Sequence, residues 1–303
     1  MINGLFVSFQ NLINFKNNET FNDNIEKLIR ESWLYTKYSK YESSLQRLHK
    51  ALELAYEQRN EMIITILHYE IANVYFLMED YENCENLYKQ ILRRILLIHK
   101  YSMENPSFIF ISLKLALVFS KKNDFKNADV GFKYCINEIK KIIEKESELN
   151  NCSENTFAIY GYALNQYAHF LINQSPDLNL IGKAQMYFEM AIEEGDKIFG
   201  YNNEQMLHLL NNFAVSCILN NQFEIGKKYL EEALKRLLSS PDKVETSIAI
   251  YCNYAECLFH LGDLKNARIF VNKALIESKQ FSKEIENFAS DFYSNLITSI
   301  KQE

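Results

Sequence analysis

The sequence predicts an all-α chain built as a linear array of helix pairs, and three observations carry that reading. Its 303 residues include only 8 Gly and 3 Pro, too few turn-makers for a strand-rich fold. Apolar residues recur at three- and four-residue steps along nearly the whole chain, the spacing of one helical face. A fixed order of small and aromatic residues then returns every 40 residues or so: Tyr41 to Tyr81 is 40, Tyr81 to Phe125 is 44 and Phe223 to Leu264 is 41. Length in such a chain counts repeats, because each unit touches only its neighbours.

One complete copy lies at residues 108–149. Leu115 and Ala116 follow Ser112 by three and four residues, and Phe119 follows Ala116 by three, which makes a first helix ending at Lys121-Lys122-Asn123-Asp124. Phe125, Ala128, Phe132 and Cys135 then form the stripe of a second, antiparallel helix. Small residue, aromatic, turn, aromatic, Ala, aromatic, small is an order that resembles the tetratricopeptide repeat. Its usual period is about 34 residues, so each helix here is longer by roughly a turn.

Laid along the chain, the unit predicts six copies. Copy one pairs Leu28, Ser32 and Tyr35 with Tyr41, Ser44, Leu48 and Ala51; copy two pairs Ile71, Ala72 and Tyr75 with Tyr81, Cys84, Tyr88 and Ile91. Copy four starts near Gly161, with Tyr167, Ala168 and Leu171 on its first helix and Ala184, Phe188 and Ala191 on its second. Its turn contains surplus residues and is expected to bulge at Pro176. Copy five has Phe213, Ala214 and Cys217, then Phe223, Gly226, Leu230 and Ala233; copy six has Tyr254, Ala255 and Leu258, then Leu264, Ala267, Val271 and Ala274. Between copies three and four a charged helix runs through residues 140–149 to Asn150-Asn151, a candidate hinge or projection. The expected division is an N-terminal segment at 1–24, a weak targeting or disordered stretch, then repeats at 25–283 and a capping helix with tail at 284–303.

A formal charge of -6 and a pI near 5.7, with no basic run longer than a pair such as Arg93-Arg94, speak against a nucleic-acid partner. No apolar run reaches the length of about 18 residues that a membrane span requires. The six cysteines (84, 135, 152, 217, 252 and 257) form no C-x-x-C and read as buried, reduced thiols. The first eighteen residues contain no acid and one base, Lys16, a poor match to an Arg-rich presequence.

Phosphate loops, zinc-protease and nucleophile-elbow motifs are missing, and the six His residues (49, 68, 99, 169, 208 and 260) are spread one to a helix. No enzyme, metal or cofactor is expected. Stacked first helices leave a groove, and the side chains placed there are Tyr69, Asn73, Phe76, Leu113, Leu117, Asn165, His169, Asn211, Asn212, Val215, Asn253, Glu256 and Phe259. A ladder of Asn can both donate to and accept from a peptide backbone. The other reading is that Asn is abundant here and polar on a wet face. A groove Lys/Arg cluster of the kind that holds chaperone tails is not expected.

Two families share stretches with this chain. Residues 209–214, LLNNFA, resemble kinesin light chains, which implies a cytosolic adaptor for peptides or cargo; the coiled-coil heptads of those proteins have no counterpart here. ISLKLA (111–116), GFKYCI (131–136) and KESEL (145–149), with KALELA (50–55) and AQMYFEMAI (184–192), resemble the mitochondrial tetratricopeptide repeat protein 19 family over about residues 25–280. That resemblance implies a non-enzymatic protein of the mitochondrial inner membrane. Its partners would be respiratory complex III (the cytochrome bc1 complex) and fragments of the cleaved Rieske presequence. Family members usually carry a long N-terminal targeting and hydrophobic extension, against about 24 residues before the first repeat here. Membrane association would run through a partner or through such a segment.

Overall fold

A computed structural model describes residues 23–148, 153–174, 177–239 and 244–302, and within them all regular structure is helical. The helices are α1 (Asp23–Lys37), α2 (Tyr41–Glu57), α3 (Glu61–Leu77), α4 (Tyr81–Leu97), α5 (Pro106–Lys121), α6 (Phe125–Glu148), α7 (Glu154–Ile172), α8 (Leu178–Phe199), α9 (Glu204–Leu219), α10 (Phe223–Ser239), α11 (Thr246–His260), α12 (Leu264–Ser278) and α13 (Lys283–Gln302). Odd-numbered helices α1 to α11 are the first, or A, helices of six pairs; even-numbered ones are the B helices. The described residues fall into two compact units, those up to residue 166 and those from 167 onward.

The two helix types differ because they meet different surroundings. Helices α3 and α11 each bury ten residues, whereas α4 and α12 bury four apiece on a single stripe. An A helix is packed on several sides, by its own B helix and by neighbouring pairs; a B helix keeps a charged face in water. In the N-terminal unit the core runs through Ile25, Leu28, Leu48, Ala51, Ile64, Leu67 and Ile71. At the end of the C-terminal unit Ile248, Tyr251, Cys252 and Ala274 are closed over by Ala289 of α13, with Phe281, Ile285 and Phe292 around them. Residues 284–300 thus bury the open face of the last pair, which is why α13 carries Ala289, Leu296 and Ile300 on one side.

Five A-to-B turns are copies of one another. The residue two before each B helix is left-handed: Ser39 (φ 57°), Glu79 (61°), Asn123 (60°), Asn221 (57°) and Gly262 (81°). Its N–H is donated three residues back, and the next N–H five residues back, as in Glu79 N to Phe76 O (3.2 Å) and Asp80 N to Tyr75 O (3.0 Å). This double closure satisfies the free carbonyls at the end of the A helix. In three of the five the following residue then caps the B helix: the carboxylates of Asp80, Asp124 and Asp263 accept the N–H of Asn83, Asn127 and Asn266. Three of the six A helices start on Asn side chains, with Asn60, Asn105 and Asn203 accepting from Ile63, Ser107 and Gln205. Capping therefore accounts for part of the Asn abundance.

The fourth pair departs from the pattern, as its surplus turn residues require. The A helix α7 begins at Glu154, ahead of the expected start near Gly161, because Ser153 N and Thr156 Oγ1 are taken by the carboxylate of Glu146 at the end of α6. Pro176, Asn150 and Asn151 lie outside the described residues. The charged extension is helical: α6 continues through Glu148 for 24 residues. The small residues expected at helix crossings, Ala128, Ala184, Ala233 and Ala267, are all fully buried.

Candidate partner-binding faces

In the N-terminal unit the face belongs to α1, α3, α5 and the start of α7. Tyr69 and Leu113, expected to be free, are buried at 5% and 0% exposure. Tyr69 packs its ring 6.1 Å from Phe110 of α5, and Phe110 lies 6.1 Å from Tyr162 of α7. Asn165 is also buried, its Oδ1 without a partner among the described residues. Asn73 is half-buried and accepts from the Tyr88 hydroxyl at 3.1 Å. Phe76 stacks edge-on to Tyr81; Leu117 remains partly open.

In the C-terminal unit His169 pairs through Nδ1 with Ser216 Oγ at 2.8 Å. Asn211 is buried and accepts from Asn253 Nδ2 at 2.8 Å, a rung between α9 and α11. Asn212 is exposed, and Val215, Asn253, Glu256 and Phe259 are partly so. Glu256 is 3.2 Å from His260 Nε2. Glu256 and Phe259 also line a cleft of about 260 Å³ with Phe292, Asn295, Leu296 and Ser299 of α13. At this end the capping helix occupies part of the face that the sequence assigns to a partner.

The error in the expected set has a simple geometric cause. Each residue advances about 100° around a helix, so a position three before the small crossing residue lies about 60° from it, within the buried arc. Tyr69, Leu113, Asn165 and Asn211 stand there relative to Ala72, Ala116, Ala168 and Ala214. A position two before lies about 160° away, on the far side. Glu70, Lys114, Gln166, Asn212 and Asn253 occupy it and are all at least partly exposed. Glu70 and Lys114 escaped the sequence reading, although the same arithmetic finds them.

Those two make the N-terminal face bipolar. Trp33 Nε1 donates to Glu70 Oε2 at 3.2 Å, and burial pushes the Glu70 carboxyl up from its ordinary range. Lys114 Nζ donates to Tyr162 Oη at 3.4 Å and lies 5.4 and 5.3 Å from the centres of the Phe110 and Tyr162 rings. Other charges are structural. Buried Arg236 forks onto Asp196 at 2.5 and 2.9 Å, holds Glu232 at 3.0 Å and covers the Tyr201 ring. In the other unit Arg94 ties the end of α4 to Glu61 and Thr65 at the start of α3.

The sulfur and imidazole groups show no reactive arrangement among the described residues. Cys84, Cys135, Cys217, Cys252 and Cys257 are buried free thiols, each pushed by desolvation to a pKa of about 12. Cys152 lies outside the described residues. His99 stands just beyond α4 rather than on a helix and shares Thr65 with Arg94. No group of three His, Cys, Asp or Glu could hold a metal, and no helix is long and apolar enough to cross a membrane, among the described residues.

Stacked helix pairs with repeated turns, a closing helix and partly open A-helix faces define a tetratricopeptide-repeat-like solenoid. The family model for the tetratricopeptide repeat matches residues 248–275, the sixth pair. The crystal structure of BtubC (BKLC) from P. vanneervenii shares the fold, with a TM-score of 0.55 and 16% identity over 84% of this chain and 90% of that one. By sequence the chain is similar to proteins named mitochondrial tetratricopeptide repeat protein 19. It is 28% identical to mitochondrial tetratricopeptide repeat protein 19 of Homo sapiens over 247 residues, 78% of this chain and 62% of that protein. The Mus musculus protein is 28% identical over 83% and 68%, and the Drosophila melanogaster homologue 23% over 76% and 60%. The chain thus spans 60 to 68% of the length of these curated relatives.

Proposed function

We propose that this protein is a non-enzymatic mitochondrial scaffold that serves respiratory complex III at the inner membrane. It would hold the complex, or fragments of the cleaved Rieske presequence, so that a separate protease can clear them. The observation that supports this reading is the extended similarity to relatives named mitochondrial tetratricopeptide repeat protein 19, reaching 258 aligned residues. The chemistry agrees with it. Holding an extended or helical segment needs hydrogen-bonding side chains, which Glu70 and Gln166 offer on the N-terminal unit and Asn212 and Asn253 on the C-terminal unit, and it needs no nucleophile or metal. Protein segments are the ligand class; cofactors and nucleic acid play no part.

The test is made in cells lacking the protein. Complex III activity is expected to fall and N-terminal Rieske fragments to accumulate on an immunoblot, while the purified protein alone cleaves nothing. Normal complex III activity together with an unchanged fragment pattern would sink the reading. A disturbance of cytosolic transport with intact respiration would point instead to an adaptor of the kinesin-light-chain kind.

A further inference from the structure

Away from the A-helix face, the N-terminal unit has a second polar recess, of about 470 Å³, bounded by α2, α3 and α4. Leu52 and Ile71 contribute apolar surface, and the polar lining includes His49, His68, Asn86, Lys89, Gln90 and Arg93. On α4 the stripe Asn86, Gln90, Arg93 follows four- and three-residue steps, so its side chains fall on one side of that helix. The lining contains cationic and hydrogen-bond-donating groups and no carboxylate, in a chain whose formal charge is -6.

The use of neighbouring groups sharpens the contrast. Lys89 is 2.5 Å from Glu85, and Arg94 is committed to Glu61 and Thr65. Arg93, the next residue along, is exposed, and among the described residues no ion pair or hydrogen bond engages its guanidinium. A second observation comes from the interior. His68 is only 8% exposed, and its Nδ1 is buried without a hydrogen-bond partner among the described residues. That nitrogen is closed off from solvent and so from any ligand in the recess, whose recognition falls to the exposed lining of His49, Asn86, Gln90 and Arg93.

We propose that this recess binds a phosphate-bearing ligand. A phosphoryl group offers more acceptor oxygens than a carboxylate and suits the fork of Arg93 flanked by carboxamides. The volume exceeds that of a bare ion and accommodates a small organic phosphate or the headgroup of an acidic phospholipid. These two sources share the recognised chemistry, and the experiment separates them.

The full chain, labelled with 15N-histidine, is titrated with glycerol 3-phosphate against sodium chloride at equal ionic strength. Flotation on vesicles of phosphatidylglycerol or of phosphatidylcholine forms the second arm. Saturable movement of the His49 and His68 ring signals, weakened at least about tenfold by Arg93→Glu, is the expected result for a soluble ligand. Flotation on phosphatidylglycerol alone, lost in Arg93→Glu and in Asn86→Asp, assigns the site to a headgroup. Both substitutions sit at exposed positions, so loss of folding does not confuse the outcome, and unchanged melting verifies this. Shifts that chloride reproduces, vesicle binding that survives both substitutions, binding only to an acidic peptide, or no binding in either arm would overturn the proposal.

Discussion

Two glycines on B helices make opposite demands on the same substitution. A Cβ added at Gly131 would stand 2.8 Å from the Cβ of Ala116, a contact that only a shift of α5 against α6 could relieve. Nothing lies within 4 Å of a Cβ at Gly182, on the exposed side of α8. Helix propensity favours Ala over Gly by about 1 kcal/mol at either place, and overpacking costs roughly 1 to 3 kcal/mol at the first alone. Gly182→Ala is therefore expected to raise the urea midpoint and Gly131→Ala to lower it; equal shifts would mean the α5–α6 crossing is looser than described. His68 supplies a pH effect. Burial above all, then the charges of Arg94 and His49, lower its pKa to about 4, against about 6.5 in an unfolded chain. Between those values the unfolded chain binds the extra proton, so stability rises with pH across that window and is lost as pH falls through it. The difference is of the order of 3 kcal/mol. His68→Gln should flatten stability between pH 4 and 6.5, and an unaltered profile would show that His68 is not the group responsible.

At the scale of the element, the turns explain why the pairs could be read from sequence and where reading stopped. Ser39-Lys40-Tyr41, Glu79-Asp80-Tyr81, Asn123-Asp124-Phe125, Asn221-Gln222-Phe223 and Gly262-Asp263-Leu264 each place a left-handed residue, a link and a large apolar residue in fixed order. That order is local, so it is visible without knowing what packs on what. The start of α7 was not visible, because it depends on Glu146 reaching across a gap in sequence to Ser153 and Thr156. Lys114 meeting Tyr162 is likewise a contact across 48 residues, set by which A helices are neighbours. Four of the five turns hold a residue with a Cβ in a left-handed conformation, which costs about 1 kcal/mol relative to Gly. Glu79→Gly is thus expected to stabilise the N-terminal unit by about 0.5 to 1 kcal/mol, although Gly at an ordinary helix position destabilises. Chemical denaturation of the single variant checks this; a lower midpoint would show that the Glu79 side chain contributes more than its backbone costs.

For the whole molecule, the proposed role rests on which side chains remain available once the repeats have packed. Replacing Asn211 is a poor probe of binding, since its side chain is 8% exposed and receives the amide of Asn253; a charge there would destabilise α9 and α11 by desolvation. Asn212 and Val215 stand outside the packed stripe of the same helix. A paired Asn212→Lys, Val215→Glu variant keeps formal charge constant and should leave far-UV circular dichroism and the melting temperature nearly unaltered. It should reduce capture of complex III subunits from mitochondrial extract about tenfold, the effect of losing roughly 1.4 kcal/mol at a partner interface. Leu113→Gln, at a fully buried position, supplies the contrast: it should lower the melting temperature first and capture only as a consequence. Undiminished capture by the paired variant, with the fold intact, would exclude the α9 face of the C-terminal unit as the partner surface.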